Sequence, residues 1–378
     1  MGIYERVGAK RIINAYGTVT VIGGSLMHPE VLEAMREASE SFVDLVDFHH
    51  KSGAYIAKLA GCEACCITNG AAGGLITAAA ACMAGTDPAK IRQLPVTDGM
   101  KNIAVVLKAH RTLYDQALLL SGIRVREVGK TSSVLPEEVE WAIGDDTACV
   151  VYTAECETMR GSLPIETMVE IAHRRGVPVI VDAASEIPPG DIFQRYLEKG
   201  ADIVILSGGK EIRGPQSAGL IFGTREMIEA CNANCCPQYS VGRPLKLDKE
   251  TIAGMVRAFE LFCQRDYAEI MAKWERMARK MVRCMESISG ARTWVGYTTE
   301  PGIQPMCLPK VFFQPERMDA GRLHARLIDM DPGIYTCLLH DAIILNPQCL
   351  SEEEAMVVCE RVEQALREEN HDTGGTLE

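Results

Sequence analysis

Short apolar runs punctuate the middle of the chain at residues 103–107, 148–152, 177–181, 203–206 and 218–222. Their brevity and lack of polar alternation predict strands buried on both faces. Between them apolar positions recur at helical spacing over residues 113–121, 136–143, 165–175 and 191–199. The stretch at 136–143 opens with Pro136 and an acidic first turn, a helix-start signal. Strand and helix in alternation predict an α/β large domain with a mainly parallel sheet and helices on both faces. In such sheets ligands sit at the carboxyl ends of the strands.

A long helical stretch begins at residues 248–264 and runs, with breaks, to about 288. Beyond about residue 291 the pattern is mixed and predicts a smaller α+β domain. There "DAIILNP" predicts a strand, and "SEEEAMVVCERVEQALREE" predicts an amphipathic helix capped by Ser351. Near the start, "RIINAYGTVTVIGGSLMHPEVLEAM" joins a short strand, a loop with Gly23-Gly24, and a helix from His28-Pro29. The expected division is an amino-terminal segment, 1–45, packing with the small domain or a neighbouring subunit. The large domain follows over 46–250, then the linking helix and small domain over 251–378.

The chain has 378 residues and 47% hydrophobic content, enough for one large core and one smaller. Against 51 Asp and Glu stand 39 Lys and Arg, a net charge of −12. That balance argues against a nucleic-acid partner, since phosphate contacts need clustered cations. The 15 cysteines do not form the framework of a small secreted domain, and no apolar run reaches membrane-spanning length. A cytoplasmic protein is expected. Cys62, Cys65 and Cys66 contain a C-x-x-C pair, but no second pair follows, and no spacing unites them with His49 or His50. They are expected to be buried apolar cysteines with no metal.

The chemistry concentrates at strand ends. In "DIVILSGGKEIRGPQSAGLIFG" a buried strand breaks into Ser207-Gly208-Gly209 and presents Lys210. A lysine there either lies on an exposed loop or has a lowered pKa and forms a Schiff base. "GVPVIVDAASEIPP" ends its strand on Asp182, one helix and one strand before Lys210. An acid there could cap a helix. It could also hold the pyridine nitrogen of pyridoxal 5′-phosphate (PLP) protonated, making the ring an electron sink. In "CCITNGAAGGLITAAAACMAG", Gly70, Ala71 and Ala72 open an alanine-rich helix. Small residues at a helix start let backbone N–H groups approach a phosphate, although such turns also serve packing alone. His110, in "VVLKAHRTLYDQAL", lies between a strand and a helix, either as a core or cap histidine or stacked on a cofactor ring.

These motifs resemble fold type I PLP enzymes. More narrowly, "INAYGTV", "TNGAAGGL", "VDAASE", "SGGKEIRGPQSAGL" and "LKLDKETIAGM" resemble, in order, the selenocysteine synthase-like family that includes D-glucosaminate-6-phosphate ammonia-lyase. The resemblance covers roughly residues 8 to 365. It implies Lys210 as the Schiff-base lysine, Asp182 as the pyridinium partner, and Gly70, Ala71 and Ala72 as the phosphate-binding turn. Ser207 becomes a further phosphate ligand, with His110 also near the cofactor. Gly214, Pro215 and Gln216 match a loop near a subunit boundary, so a homodimer or larger homo-oligomer is expected. Many fold type I enzymes carry a histidine directly before the lysine; here Gly209 stands there.

The family's chemistry implies a lyase for a small hydroxy amino acid, such as an amino-sugar acid or its phosphate. Lys210, displaced by the substrate amine, takes the Cα proton. Loss of the β-hydroxyl then yields a 2-oxo acid and ammonia. A selenocysteine synthase-type transferase is the alternative. It fits less well, because the "INAYG" pattern starts by Ile12 and leaves no room before it for an additional tRNA-binding domain. Racemases and aminotransferases share the same first step, and a non-catalytic relative with the same fold is a further alternative. For the substrate carboxylate, Arg213, Arg243 and Arg257 are candidates. Arg213 is favoured by its nearness to Lys210, and Gln216 is a second substrate contact.

Overall fold

The computed structural model describes residues 2–300 and 304–372. The chain forms two compact units, Met27–Arg265 and Met1–Leu26 with Asp266–Glu378.

The larger unit is built on a seven-stranded sheet. In chain order its strands are β1 (Ala64–Asn69), β2 (Ile103–Leu107), β3 (Arg124–Val128), β4 (Thr147–Thr153), β5 (Val179–Asp182), β6 (Ile203–Ser207) and β7 (Ala218–Gly223). Across the sheet they run β1-β7-β6-β5-β4-β2-β3. The neighbours from β6 to β3 are parallel, and β7 runs antiparallel to both β6 and β1. The sheet is thus mainly parallel, and every residue of β2, β4 and β7 is buried. The expected strands are all present. Two more, β1 and β3, complete the sheet. β3, "RVREV", is an edge strand exposed along part of its length, so its charged positions hide it from a search for apolar runs.

The helix Gly70–Ala84 is buried almost all round from Gly73 onward. Its small residues let it approach the sheet closely: a Cβ at Gly74 would lie 2.8 Å from Ile205 Cγ2. A Cβ on Gly219 of β7 would lie 2.4 Å from the Gly70 carbonyl carbon. The core contacts therefore fix where this helix begins relative to β6 and β7.

In the smaller unit an antiparallel sheet runs Cys337–Leu339, Ala342–Leu345, Lys310–Pro315, Ala291–Gly296. Ile12–Asn14 pairs in parallel with Gly333–Tyr335. Asn14 closes the turn after it, accepting from the Tyr16 and Gly17 N–H groups at 3.0 and 2.9 Å. The last helix, Glu352–Asp372, starts with a capping box: Glu354 N–H donates to Ser351 Oγ (3.1 Å) and Ser351 N–H to Glu354 Oε2 (2.9 Å). The long helical stretch is two helices, Lys249–Cys263 and Tyr267–Met285, each capped by an aspartate. Among the described residues no helix is long and apolar enough to cross a membrane.

Candidate active site

The strand register brings the candidate residues to one edge of the sheet. Asp182 ends β5 beside Thr153 of β4 and Ile205 of β6. Ser207 ends β6 beside Gly219, and Asn69 ends β1 beside Ala218. Gly70, Glu155, Ser185 and Lys210 follow at this carboxyl-terminal edge, where open α/β sheets bind ligands.

Lys210 is presented by a tight turn. Gly208 N–H donates to Ala218 O, Gly214 N–H to Gly208 O (2.8 Å each), and Arg213 N–H to Lys210 O (3.0 Å). A Cβ at Gly208 would lie 2.5 Å from Met255 Sδ, and one at Gly209 would lie 2.3 Å from Gln216 Cα. The backbone of the return loop thus occupies the space a side chain at 209 needs. This accounts for glycine where many fold type I enzymes have histidine. Gly209→Ala is expected to destabilise the protein by about 1–3 kcal/mol through overpacking. Urea denaturation checks this, and an unchanged midpoint would contradict the packing argument.

The Lys210 Nζ donates to Ser185 Oγ. Burial pulls its pKa below the ordinary lysine value, opposed by Asp182, Glu155 and Glu186. Burial also pushes Asp182 up, although Ala184 N–H donates to its Oδ1 at 3.1 Å and Lys210 draws it down. Burial, then the charges of Asp182 and Glu186, raise Glu155 to about 8. Burial raises Glu186 to about 7. The site is an amine poised to lose its proton, ringed by acids reluctant to lose theirs.

The helix Gly70–Ala84 begins at the same edge. Its amino terminus has no side-chain cap and no acidic residue in the first turn. Asn69, the cap position, instead donates its Nδ2 to Lys246 O at 3.1 Å. Gly70 has a φ of +67°, which suits glycine, and Ala72 is exposed. Uncapped N–H groups lined by small side chains fit a phosphate. With a partly buried lysine just past the end of β6 and a partly buried carboxylate ending β5, this donor set fits PLP.

His110 does not take the position expected of a stacking ring. It is 0% exposed. Thr153 N–H donates to its Nδ1 (3.1 Å), so Nε2 carries the proton and meets Ser162 Oγ (2.8 Å). Tyr152 packs against its ring at 4.5 Å between centroids, and burial pushes its pKa down to about 4. No face of the ring is open to a cofactor; it is a neutral core histidine that ties β2 to β4.

Ser207 is partly buried on the strand end next to Gly219, which packs on Gly70. Arg213 is partly buried with a left-handed φ of +60°, and Gln216 is exposed. Arg257 is engaged elsewhere, 2.7 Å from Glu260, whose other oxygen accepts from Tyr55 at 2.8 Å. Arg243 lines a groove with Leu120, Tyr239 and Pro244. Cys65 and Cys66 are core residues. Cys66, Cys235 and His49 bring ligand atoms within 4.8 Å of one another. These are three groups where a closed zinc site takes four. His49 Nε2 meets Ile67 O at 2.7 Å, and a hydrogen bond with Cys235 and burial keep the Cys66 thiol far from ionising.

Ser185, Glu155 and Glu186 were not anticipated. The signal was available: each lies just past the end of a buried strand, in "VDAASE" and "VVYTAECE", by the rule that singled out Asp182.

The family model for L-seryl-tRNA selenium transferase matches residues 12–351. A 5′-C-glycyluridine monooxygenase-decarboxylase from Streptomyces is 30% identical over 96% of this chain and 92% of its own length. The D-glucosaminate-6-phosphate ammonia lyase of Salmonella typhimurium is 34% identical over 69% of this chain and 70% of its own. A solved D-glucosaminate-6-phosphate ammonia-lyase superposes with a TM-score of 0.85 at 28% identity, covering 97% of this chain and 99% of that one. A serine palmitoyltransferase from S. paucimobilis, solved with bound PLP, shares the fold at a TM-score of 0.59 and 14% identity, covering 95% of this chain and 88% of that one. Both the match along the chain and the lysine site lead to one assignment: this protein belongs to the L-seryl-tRNA selenium transferase family and is a PLP-dependent enzyme of fold type I.

Proposed function

We propose that this enzyme is an ammonia-lyase that acts on an amino-sugar acid or its phosphate, expelling a β-hydroxyl and giving a 2-oxo acid and ammonia. The observation that carries the reading is the setting of Lys210, a partly buried lysine whose amine is held by Ser185 among Asp182, Glu155 and Glu186. The likeness to the ammonia-lyase structure along almost the whole chain supports it.

Bound PLP supplies a sink for the electron pair released when a substrate Cα–H bond breaks. Asp182 holds a proton at the pyridine nitrogen. Gly70, Ala71 and Ala72 bind the phosphate through their N–H groups, with Ser207 beside them. Lys210 takes the Cα proton at Nζ, which Ser185 Oγ orients; burial suits it to the task by weakening its hold on its own proton. Arg213 and Gln216 meet the substrate carboxylate.

A second reading follows from the monooxygenase-decarboxylase relative, which is similar over 96% of the chain. One assay separates the two. Purified protein with PLP is given hydroxy amino acids and amino-sugar acids, with and without phosphate, while ammonia, 2-oxo acid, oxygen and carbon dioxide are followed. Equal release of ammonia and 2-oxo acid without oxygen uptake is expected. Oxygen uptake coupled to carbon dioxide release would favour the second reading. Transfer to seryl-tRNA is disfavoured by 51 acidic against 39 basic residues. Bulk tRNA is expected not to compete at physiological salt, and tight, salt-sensitive binding in a gel shift would contradict this.

We also infer a cytoplasmic homodimer or larger homo-oligomer. Phe42 is 104% exposed, Leu113 95% and Tyr239 86%, apolar side chains that a partner subunit would cover. Light scattering at low concentration should give at least twice the 41.3 kDa chain mass. A stable, active monomer would overturn the inference.

A further inference from the structure

We propose that Glu155 is the general acid that protonates the departing β-hydroxyl, a role that rests on the elimination reading above. Hydroxide is a poor leaving group, because bulk water is a very weak acid. A hydroxyl therefore leaves as water, and something must deliver a proton to it. Once Nζ of Lys210 holds the Cα proton, a second acid placed beside it removes the need for that proton to travel.

Glu155 is placed for this. It lies in the short turn Ala154–Cys156, directly after Thr153, which pairs with Asp182 across β4 and β5. Its charge acts on Lys210, and Asp182 and Glu186 act on it. Glu155 and the next acid, Glu157 at the end of the turn, have different surroundings. Glu157 accepts from Tyr196 Oη at 2.9 Å and lies 3.8 Å from Lys199 Nζ. Among the described residues the Glu155 carboxyl has no hydrogen-bond or ion-pair partner, although it is partly buried. A carboxyl so placed without a partner is costly unless it keeps its proton, and its pKa of about 8 agrees with that. Glu186 shares the cluster, but Glu155 is the more strongly raised of the two.

The step balances. The Cα–H bond breaks and its proton goes to Lys210 Nζ. The electron pair forms the Cα–Cβ double bond as the Cβ–O bond breaks. The oxygen keeps the bonding pair, takes the Glu155 proton and leaves as water, and Glu155 is left as carboxylate. A water molecule is consumed when the product hydrolyses to 2-oxo acid and ammonia, and nothing is oxidised or reduced.

The test uses holoenzyme Glu155→Gln and the β-hydroxy amino acid turned over best by the wild type, in deuterated water. Two rates are followed on this one substrate: ammonia release and exchange of the Cα hydrogen for deuterium. An unchanged cofactor spectrum confirms that the variant is folded and loaded. Ammonia release is expected to fall about 10²–10⁴-fold. Cα exchange should persist, and Glu155→Asp should recover part of the lost release. Loss of both rates together would make Glu155 a structural or positioning residue and overturn the proposal. Undiminished ammonia release would also overturn it, leaving Lys210 to move both protons. If the wild type exchanges the Cα hydrogen but releases no ammonia from any substrate, the elimination reading itself fails.

Discussion

Lys210→Ala should lose the covalently attached cofactor and at least about 10³-fold in ammonia release, since one side chain serves as both attachment point and base, and base catalysis alone is worth about 10²–10⁴-fold. The lysine's surroundings make the effect large. It follows a strand buried at every residue but the last, Nζ is tied to Ser185, and burial weakens its hold on a proton despite nearby carboxylates. Exposed lysines, such as Lys246 with its carbonyl against Asn69, lack that environment. The visible spectrum of wild type with PLP should show a band that borohydride removes, with the label on the peptide that carries Lys210. The variant should show neither band nor label. Label on any other lysine would contradict the assignment.

Asp182→Asn should separate binding from chemistry. The amide can still accept the Ala184 N–H bond that the carboxylate accepts at 3.1 Å, so the strand end and the cofactor should be retained. What it cannot do is carry a charge opposite a protonated ring nitrogen. Loss of one preorganised electrostatic partner costs about 10²–10³-fold in turnover. Cα exchange should fall with ammonia release, because both need the sink, whereas Glu155→Gln should spare exchange. Burial raises the Asp182 pKa in the protein alone, and a cationic ring nitrogen beside it favours the ionised form. Near-normal turnover in Asp182→Asn, measured by the same two rates, would show that this carboxylate does not support the sink.

Most of the sheet was legible because its strands are apolar throughout. The predicted 103–107 is β2, and 203–206 is β6 less its last residue. What the pattern could not show was β3, whose arginines face partly to solvent, and β1, whose "TNG" ending resembles a turn more than the end of a six-residue strand. Lys210 and Asp182 were legible for a physical reason: a charged residue at the end of an apolar run lands at the ligand edge. The same rule applied to Glu155 and Glu186, but a glutamate a few residues past a strand is ordinary in a loop, and only the pairing of Thr153 with Asp182 shows that Glu155 follows at the same edge. His110 misled because position after a strand does not reveal burial. Thr153 and Ser162, which occupy its two nitrogens, lie 43 and 52 residues away in sequence.

Elimination at Cα and Cβ driven from Lys210 leaves its mark in the fate of deuterium in the product. The wild-type enzyme, with PLP and its best β-hydroxy amino acid in deuterated water, should yield ammonia and 2-oxo acid in equal amounts. The former β-carbon, now bare of its hydroxyl, should carry one deuterium taken from solvent. Substrate returned with deuterium at Cα and inverted configuration, or an amino group left on the cofactor without free ammonia, would contradict elimination and make the enzyme a racemase or an aminotransferase.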